Sequence, residues 1–261
     1  MSNFLWNVMI KVTKLFFSPF KSMHMTETSS FNLIPNIGIE GDRVFCFTRF
    51  LDEQDALRFQ EDRKARNIIN FLSMKHSPIL NHYHFSLEDN QISLFKLHNK
   101  LISVQDKNFS TLQTIVDVFK QEEKLEESKI FLLYNPKQPF FDYIREPVIS
   151  LINVESLKDF NHKNNLQIDL ERFRGNIYIE GLAPFEEFKW IGKTITINEK
   201  KFEVLSAIPR CKSTHYPYKS IQADCNVPQL LQQTYNHVDM GIYLKPTAST
   251  IVDLNSSIQF N

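Results

Sequence analysis

Cysteine is scarce: 261 residues hold three, at positions 46, 211 and 225. An odd, low count suits a reducing compartment better than a disulfide scaffold, so a cytoplasmic location is the expectation. Three thiols also exclude an internal four-cysteine iron–sulfur cluster. There is no CxxC pair, no HExxH motif and no glycine-rich dinucleotide fingerprint. Glycine is low at 6 and phenylalanine high at 23, and no function follows from either. Neither sign of charge predominates, since Lys+Arg and Asp+Glu both total 30. That balance argues against a general binder of nucleic acid or membrane surface, which would be basic. No long apolar run is uninterrupted. The first 17 residues are apolar but carry Lys11 and Lys14, too short and too charged a stretch for a membrane span. They offer no small-residue cleavage site and read as a first strand with a ragged start.

What remains is ordinary globular composition, 42% hydrophobic and 23% charged, in a chain long enough for one large domain or two small ones. Residues 11–17, 41–49, 79–85 and 91–97 are β-branched and aromatic enough for strands, the last two a hairpin turning at residues 88–90. Residues 102–104 read as a further strand. The charged stretch 52–67 reads as a surface helix. Residues 109–122 carry apolar side chains at helical spacing, Leu112, Ile115, Val116, Val118 and Phe119. The charged run 121–129 then suggests a boundary between two lobes, residues 1–120 and 121–261. Residues 148–160 read as a strand and a helix capped by Asn153. Residues 177–180, 193–197, 202–207, 241–244, 250–254 and 257–260 read as strands, with a short helix from 226 or 227 to 235 that accepts Pro228 in its first turn. The expected class is mainly β (α+β), a barrel-like C-terminal domain with a β-rich N-terminal lobe.

Chemistry concentrates in a few places. Cys211 lies between Arg210 and Lys212. It reads equally as a half-buried structural cysteine or as a thiolate, the form that binds metals, favoured by adjacent cations. Arg172, Arg174 and Asn176 alternate, so a strand would put two guanidiniums and an amide on one face, able to grip phosphate. The plain alternative is a solvated edge paired with Asp169, Glu171 and Glu180. Lys21 and Ser22 follow the first strand in a turn suited to an anion, and Arg43 after Gly41-Asp42 adds a cation or an ordinary turn ion pair. His237 and Asp239, two apart, read as structural residues or as a proton relay. His162, His215 and Cys225 lack such context.

These blocks together resemble the MOSC family, the domain named after molybdenum-cofactor sulfurase, with its N-terminal β-barrel domain. The opening segment 15–22 is similar to the family's YPVKS strand and turn, and 38–43 to its GL-GDR segment. Residues 71–78 resemble a weaker FLTARQ-P segment, and 172–177 the RFRPN signature. Glu187, Trp190 and Gly192 follow its E--W-G pattern, with Phe188 where an acid is usual. Pro209-Arg210-Cys211 is similar to the metal-binding cysteine block, and 227–243 to the ending of one bacterial branch. Gly175 stands where the family has proline, residues 214–218 lack its VDP-TG turn, and Asn255-Ser256 replaces a final GD.

The resemblance implies that Cys211 ligates molybdenum in a pterin dithiolene cofactor. By position, Lys21, Ser22, Arg43, Arg174, Asn176 and Arg210 become cofactor contacts, with Cys211, His237 and Asp239 as candidates for catalysis. It also implies an oxidoreductase that removes oxygen from N-hydroxylated small molecules. A separate reductase or ferredoxin-like protein would supply electrons, and no pyridoxal phosphate is expected. The rival reading is a carrier, of persulfide sulfur on Cys211 or of the cofactor itself, without turnover.

Overall fold

The computed structural model describes residues 10–88, 91–125, 128–141 and 146–260. In chain order the strands are β1 (Lys11–Phe17), β2 (Thr26–Thr28), β3 (Ser30–Ile34), β4 (Gly38–Ile39), β5 (Phe45–Phe47), β6 (Tyr83–Glu88), β7 (Gln91–Lys96), β8 (Asn99–Val104) and β9 (Leu132–Tyr134). They continue as β10 (Ile149–Asn153), β11 (Ile177–Glu180), β12 (Thr194–Ile197), β13 (Lys200–Pro209), β14 (Asp239–Pro246), β15 (Thr250–Asp253) and β16 (Ile258–Phe260). The α-helices are α1 (Glu53–Glu61), α2 (Phe109–Glu123), α3 (Val154–Asn164) and α4 (Val227–Tyr235). None is long and apolar enough to cross a membrane among the described residues.

The chain is mainly β, as its composition implies. Eight strands form one sheet in the order β16-β12-β13-β14-β10-β11-β1-β2. Its centre is dictated by apolar runs: β10 is buried at every position and β11 at its first three, as a parallel pair covered on both faces requires. One face encloses Leu15, Ile149, Leu151, Ile177, Phe202, Ile242 and Leu244. The other packs on α3 and α4 through Phe160, Leu157, Leu231 and Tyr178. Among the described residues the ladder does not close into a barrel. The sheet ends at β16 and β2, although one isolated bridge, Lys11 to Ser257, brings the start of β1 to the residue before β16.

A second core lies around Phe20, Phe45, Phe47, Tyr83, Leu94, Leu112 and Phe119, under the β6-β7-β8 sheet and α2. Residues from the expected N-terminal lobe, β1 and β2, lie in the large sheet with C-terminal strands, and β9 pairs with β5.

Caps follow the sequence. Asn153 accepts the Glu155 amide at the start of α3, Asn108 accepts that of Thr111 at α2, and Pro228 sits in the first turn of α4. Several expectations need correction. The strand expected over 41–49 is only β5, because residues 40–43 form turns. The helix expected over 52–67 stops at Glu61, where Asp62 leaves the helical region and caps a short 3-10 turn. Residues 78–82 form a 3-10 turn before β6. Strands β6 and β7 pair as expected, but turn residues 89 and 90 lie outside the described residues, as does the ragged start before residue 10.

The arginine block is the main departure. Residues 170–173 form a 3-10 turn capped by Asp169, Arg174 takes a left-handed conformation at φ 54°, and the strand begins only at Ile177. Alternation therefore does not set Arg172, Arg174 and Asn176 on one face.

Candidate functional site: a cationic cleft around Cys211

Loop 18–22 leaves β1 because Pro19 ends the strand, and it then runs beside residues 43–45. Arg43 donates its amide to Ser18 O at 2.6 Å, Phe45 to Pro19 O at 2.9 Å, and Lys21 to Phe45 O at 2.9 Å. Buried Asp42 fixes this crossing: its carboxylate accepts the Ser18 amide at 2.7 Å and the Arg43 guanidinium. Ser22 and Arg43, like Arg174, hold positive φ, 67° and 52°. Side chains resist this region, so the surrounding hydrogen bonds must hold it in place.

These residues line a cleft of about 440 Å³ with Arg172, Arg174, Arg210 and Cys211. Lys75, His76, Ile68 and Ile69 line it as well, with Ser150 from β10 and Tyr243 from β14. Among the described residues the lining has no carboxylate.

The three arginines are held differently. Arg172 closes a two-pronged pair with Asp224, both distances 2.7 Å, and reaches Cys225 Sγ at 3.1 Å. Its Nε is buried without a hydrogen-bond partner. Arg210 turns Nη1 to Phe173 O at 2.9 Å and Nε to Met240 O at 3.0 Å. Among the described residues Arg174 reaches the soft sulfur of Met74, at 3.9 Å, within hydrogen-bonding range. Among the described residues no carboxylate pairs with Arg174 or Arg210. Burial, with Arg43 adding like charge, pushes the Arg174 guanidinium down to about 10, and burial also lowers Arg210. Both keep part of their surface open to the cleft.

Cys211 is exposed at the end of β13, where its carbonyl caps the turn Lys212–His215 by accepting from Thr214 N and Oγ at 2.9 and 2.8 Å. Cys46 is fully buried, and burial raises its thiol. Burial raises Cys225 as well.

Three sequence candidates lie outside the lining. Asn176 is buried with its amide committed: Oδ1 accepts from Ser150 N and Oγ at 3.1 and 2.8 Å, and Nδ2 donates to Phe16 O at 3.0 Å. His237 packs among Phe185, Phe188 and Tyr235, and its Nδ1 accepts the Asp239 amide at 3.1 Å. Phe188, where the family pattern has an acid, is thus part of an aromatic box. Asp239 pairs with Pro209 across β13 and β14, one residue before Arg210. Sequence reasoning gave no role to Lys75, His76, Ile68 or Ile69. The resemblance over residues 71–78 was the available signal for the first two. Nothing marked the isoleucines.

Residues 141–258 match the model of the MOSC domain. Among solved structures the chain is similar to the YuaD protein from Bacillus subtilis, at 10% identity over 95% of this chain and 93% of that one, with a TM-score of 0.42. It is also similar to YiiM from Geobacillus stearothermophilus, at 14% identity over 42% of this chain and 52% of that one, TM-score 0.34. No curated protein matches it in sequence.

Proposed function

We propose, from the match of residues 141–258 to the MOSC domain, a class associated with the molybdenum cofactor, that the cleft binds this cofactor and reduces N-hydroxylated small molecules. The observation that carries the reading is the convergence of Lys21, Ser22, Arg43, Arg174 and Arg210 on the cleft that exposes Cys211. The donor set suits a phosphorylated pterin with a soft metal. A thiolate is a soft ligand. Guanidiniums grip phosphate. Arg174, partly buried with no carboxylate partner among the described residues, is a group that an anion would satisfy.

In this reading Cys211 holds the metal, Arg174 and Arg43 hold the phosphate, and Lys21 and Ser22 hold the pterin edge. Arg210 contributes positive potential while its carbonyl bonds fix the start of the Cys211 turn. Asp239 and Val238 support that turn from behind, through the Pro209 pairing and the Arg210 amide bond to Val238 O at 2.9 Å. His237 braces Asp239. Asn176 orders Ser150 at the cleft wall. When bound, the cofactor supplies a two-electron centre able to take an oxygen atom. Electrons come from a separate reductase or ferredoxin-like protein, and the two protons needed to release water come through the solvent-open mouth.

A carrier role has one specific support, the exposure of Cys211, which a sulfur acceptor protein would need. Purification from a host that makes the cofactor separates the two. We expect about one molybdenum per chain, lost in Cys211→Ser and kept in Cys46→Ser and Cys225→Ser, with reductase-dependent reduction of benzamidoxime. A parent without molybdenum, or equal metal in all three variants, sinks the cofactor assignment. Metal without turnover, together with sulfur or cofactor transfer to an acceptor, favours the carrier.

A further inference from the structure

Resting on that reading for what lies at the cleft floor, we infer that its substrate carries an anionic group, carboxylate or phosphate, gripped at the mouth by Lys75 and His76. The cations assigned to the cofactor are Lys21, Arg43, Arg174 and Arg210, and Arg172 is already paired with Asp224. Lys75 and His76 remain. Both are exposed, and both line the cleft.

Their turn is well fixed. Ser73 O accepts the amides of His76 and Ser77, both at 2.9 Å, and Ser73 Oγ lies 3.3 Å from His76 Nδ1. The charges that reach the His76 ring come from Arg49, Lys75 and Lys212, and with burial as the largest cause they hold it below its ordinary range. Arg49 is pinned by Nε to Ile69 O at 2.8 Å with its guanidinium over Phe50. Lys212 follows the proposed metal ligand in sequence. Cations gathered around an imidazole repel one another, and an entering anion relieves that repulsion.

The same mouth carries an apolar ledge. Ile68 and Ile69 line it while 51% and 56% exposed. An apolar body on the isoleucines and an anionic end on Lys75 and His76 leave the N-hydroxyl group directed inward. Neutral N-hydroxylated compounds gain only the apolar part.

The test is calorimetric binding to the purified full chain, with molybdenum measured in the same samples. The probes are benzamidoxime and its 4-carboxy and 4-phosphono derivatives. Exposed pairs are individually weak, so the better anionic probe should bind roughly 3- to 30-fold tighter than the neutral one at low salt. Added salt should shrink that gap, and Lys75→Glu should close it. The gap should widen as pH falls through imidazole protonation, and that widening should vanish in His76→Gln. Comparison of the carboxylate with the phosphonate identifies which anion the mouth takes. Equal affinity for neutral and anionic probes overturns the inference. So does an anion preference that survives in both Lys75→Glu and His76→Gln, since the anion would then lie deeper, on Arg43 and Arg174. A molybdenum-free sample whose anion preference depends on Lys75 upholds the inference and sinks the cofactor reading. A metal-loaded sample without preference does the reverse.

Discussion

Arg172 and Arg174 flank Phe173 in the same turn, and the turn sends them to different work. Arg172 is buried and clamps Asp224, which is half exposed, so its loss costs stability damped by solvent on the carboxylate side. Arg172→Ala should therefore lower unfolding free energy by about 1–2 kcal/mol. The folded fraction should still retain metal. Arg174 makes no such pair, and Arg174→Ala should weaken cofactor retention by about 1.5–3 kcal/mol with a smaller stability loss. Urea unfolding with molybdenum analysis of both variants checks this, and equal retention in the two would remove Arg174 from the proposed phosphate grip. Gly175 beside them, where the family has proline, fits this place closely. Its amide donates to Tyr178 Oη at 3.0 Å, a bond proline lacks, and a Cβ there would lie 2.6 Å from Ile152 Cδ1.

At the scale of elements, Asn176 joins three strands at one point, reaching Phe16 on β1 and Ser150 on β10 at the threshold of β11. Asn176→Ala leaves the Phe16 carbonyl and both Ser150 donors unmatched in a buried place. A loss of about 2–4 kcal/mol is expected, with metal retention falling in parallel, because Ser150 lines the cleft. Denaturant unfolding checks the first part, and an unchanged midpoint would show the network to be dispensable. Asn176 also marks how far the sequence is legible. Long apolar runs such as β10 and β14, and capped helices such as α3, carry their own local signal and were readable. The turn at residues 170–173 was not, because Arg-Phe-Arg-Gly-Asn alternates like a strand while Asp169, by accepting the Arg172 amide at 3.3 Å, bends it. Nor were β2, β3 and β4: β2 pairs with β1, and β3 lies between β4 and the distant β15. The cationic cleft was legible residue by residue, but only tertiary folding brings residues 21, 43, 174 and 210 together. The purely structural tasks of Asn176 and Arg172 depend on partners far along the chain.

For the whole molecule, the seam between the opening loop and the loop beyond Cys211 runs through one buried histidine. His24 Nε2 donates to Asn81 O at 2.6 Å, and Asn81 Nδ2 donates in turn to Pro217 O and Ser220 O at 2.7 and 2.6 Å. Tyr218 packs on the His24 ring and donates to Met25 O at 3.2 Å. Burial first, then the charges of His84, Lys219 and Arg174, drive His24 down to about 4, against the opposing carbonyl bond. The unfolded chain therefore binds a proton that the native state refuses between the ordinary 6.5 and about 4. Stability must fall as pH drops through that window, by up to about 3 kcal/mol from this group. His84, also lowered, acts in the same direction, whereas Glu187, raised by burial, opposes it as it protonates. Asp159 and Asp224, both lowered, add their loss chiefly at the acid end and below it. Urea unfolding from pH 7.5 to 4.5 should show the decline. In His24→Gln, whose amide can still donate to Asn81 O, the decline should be shallower by about one proton. A parent with flat stability over that range, or the same slope in both proteins, would remove His24 from the seam. The predicted slope would instead tie acid sensitivity to the loop that follows Cys211, so that the cleft wall loosens before the large sheet unfolds.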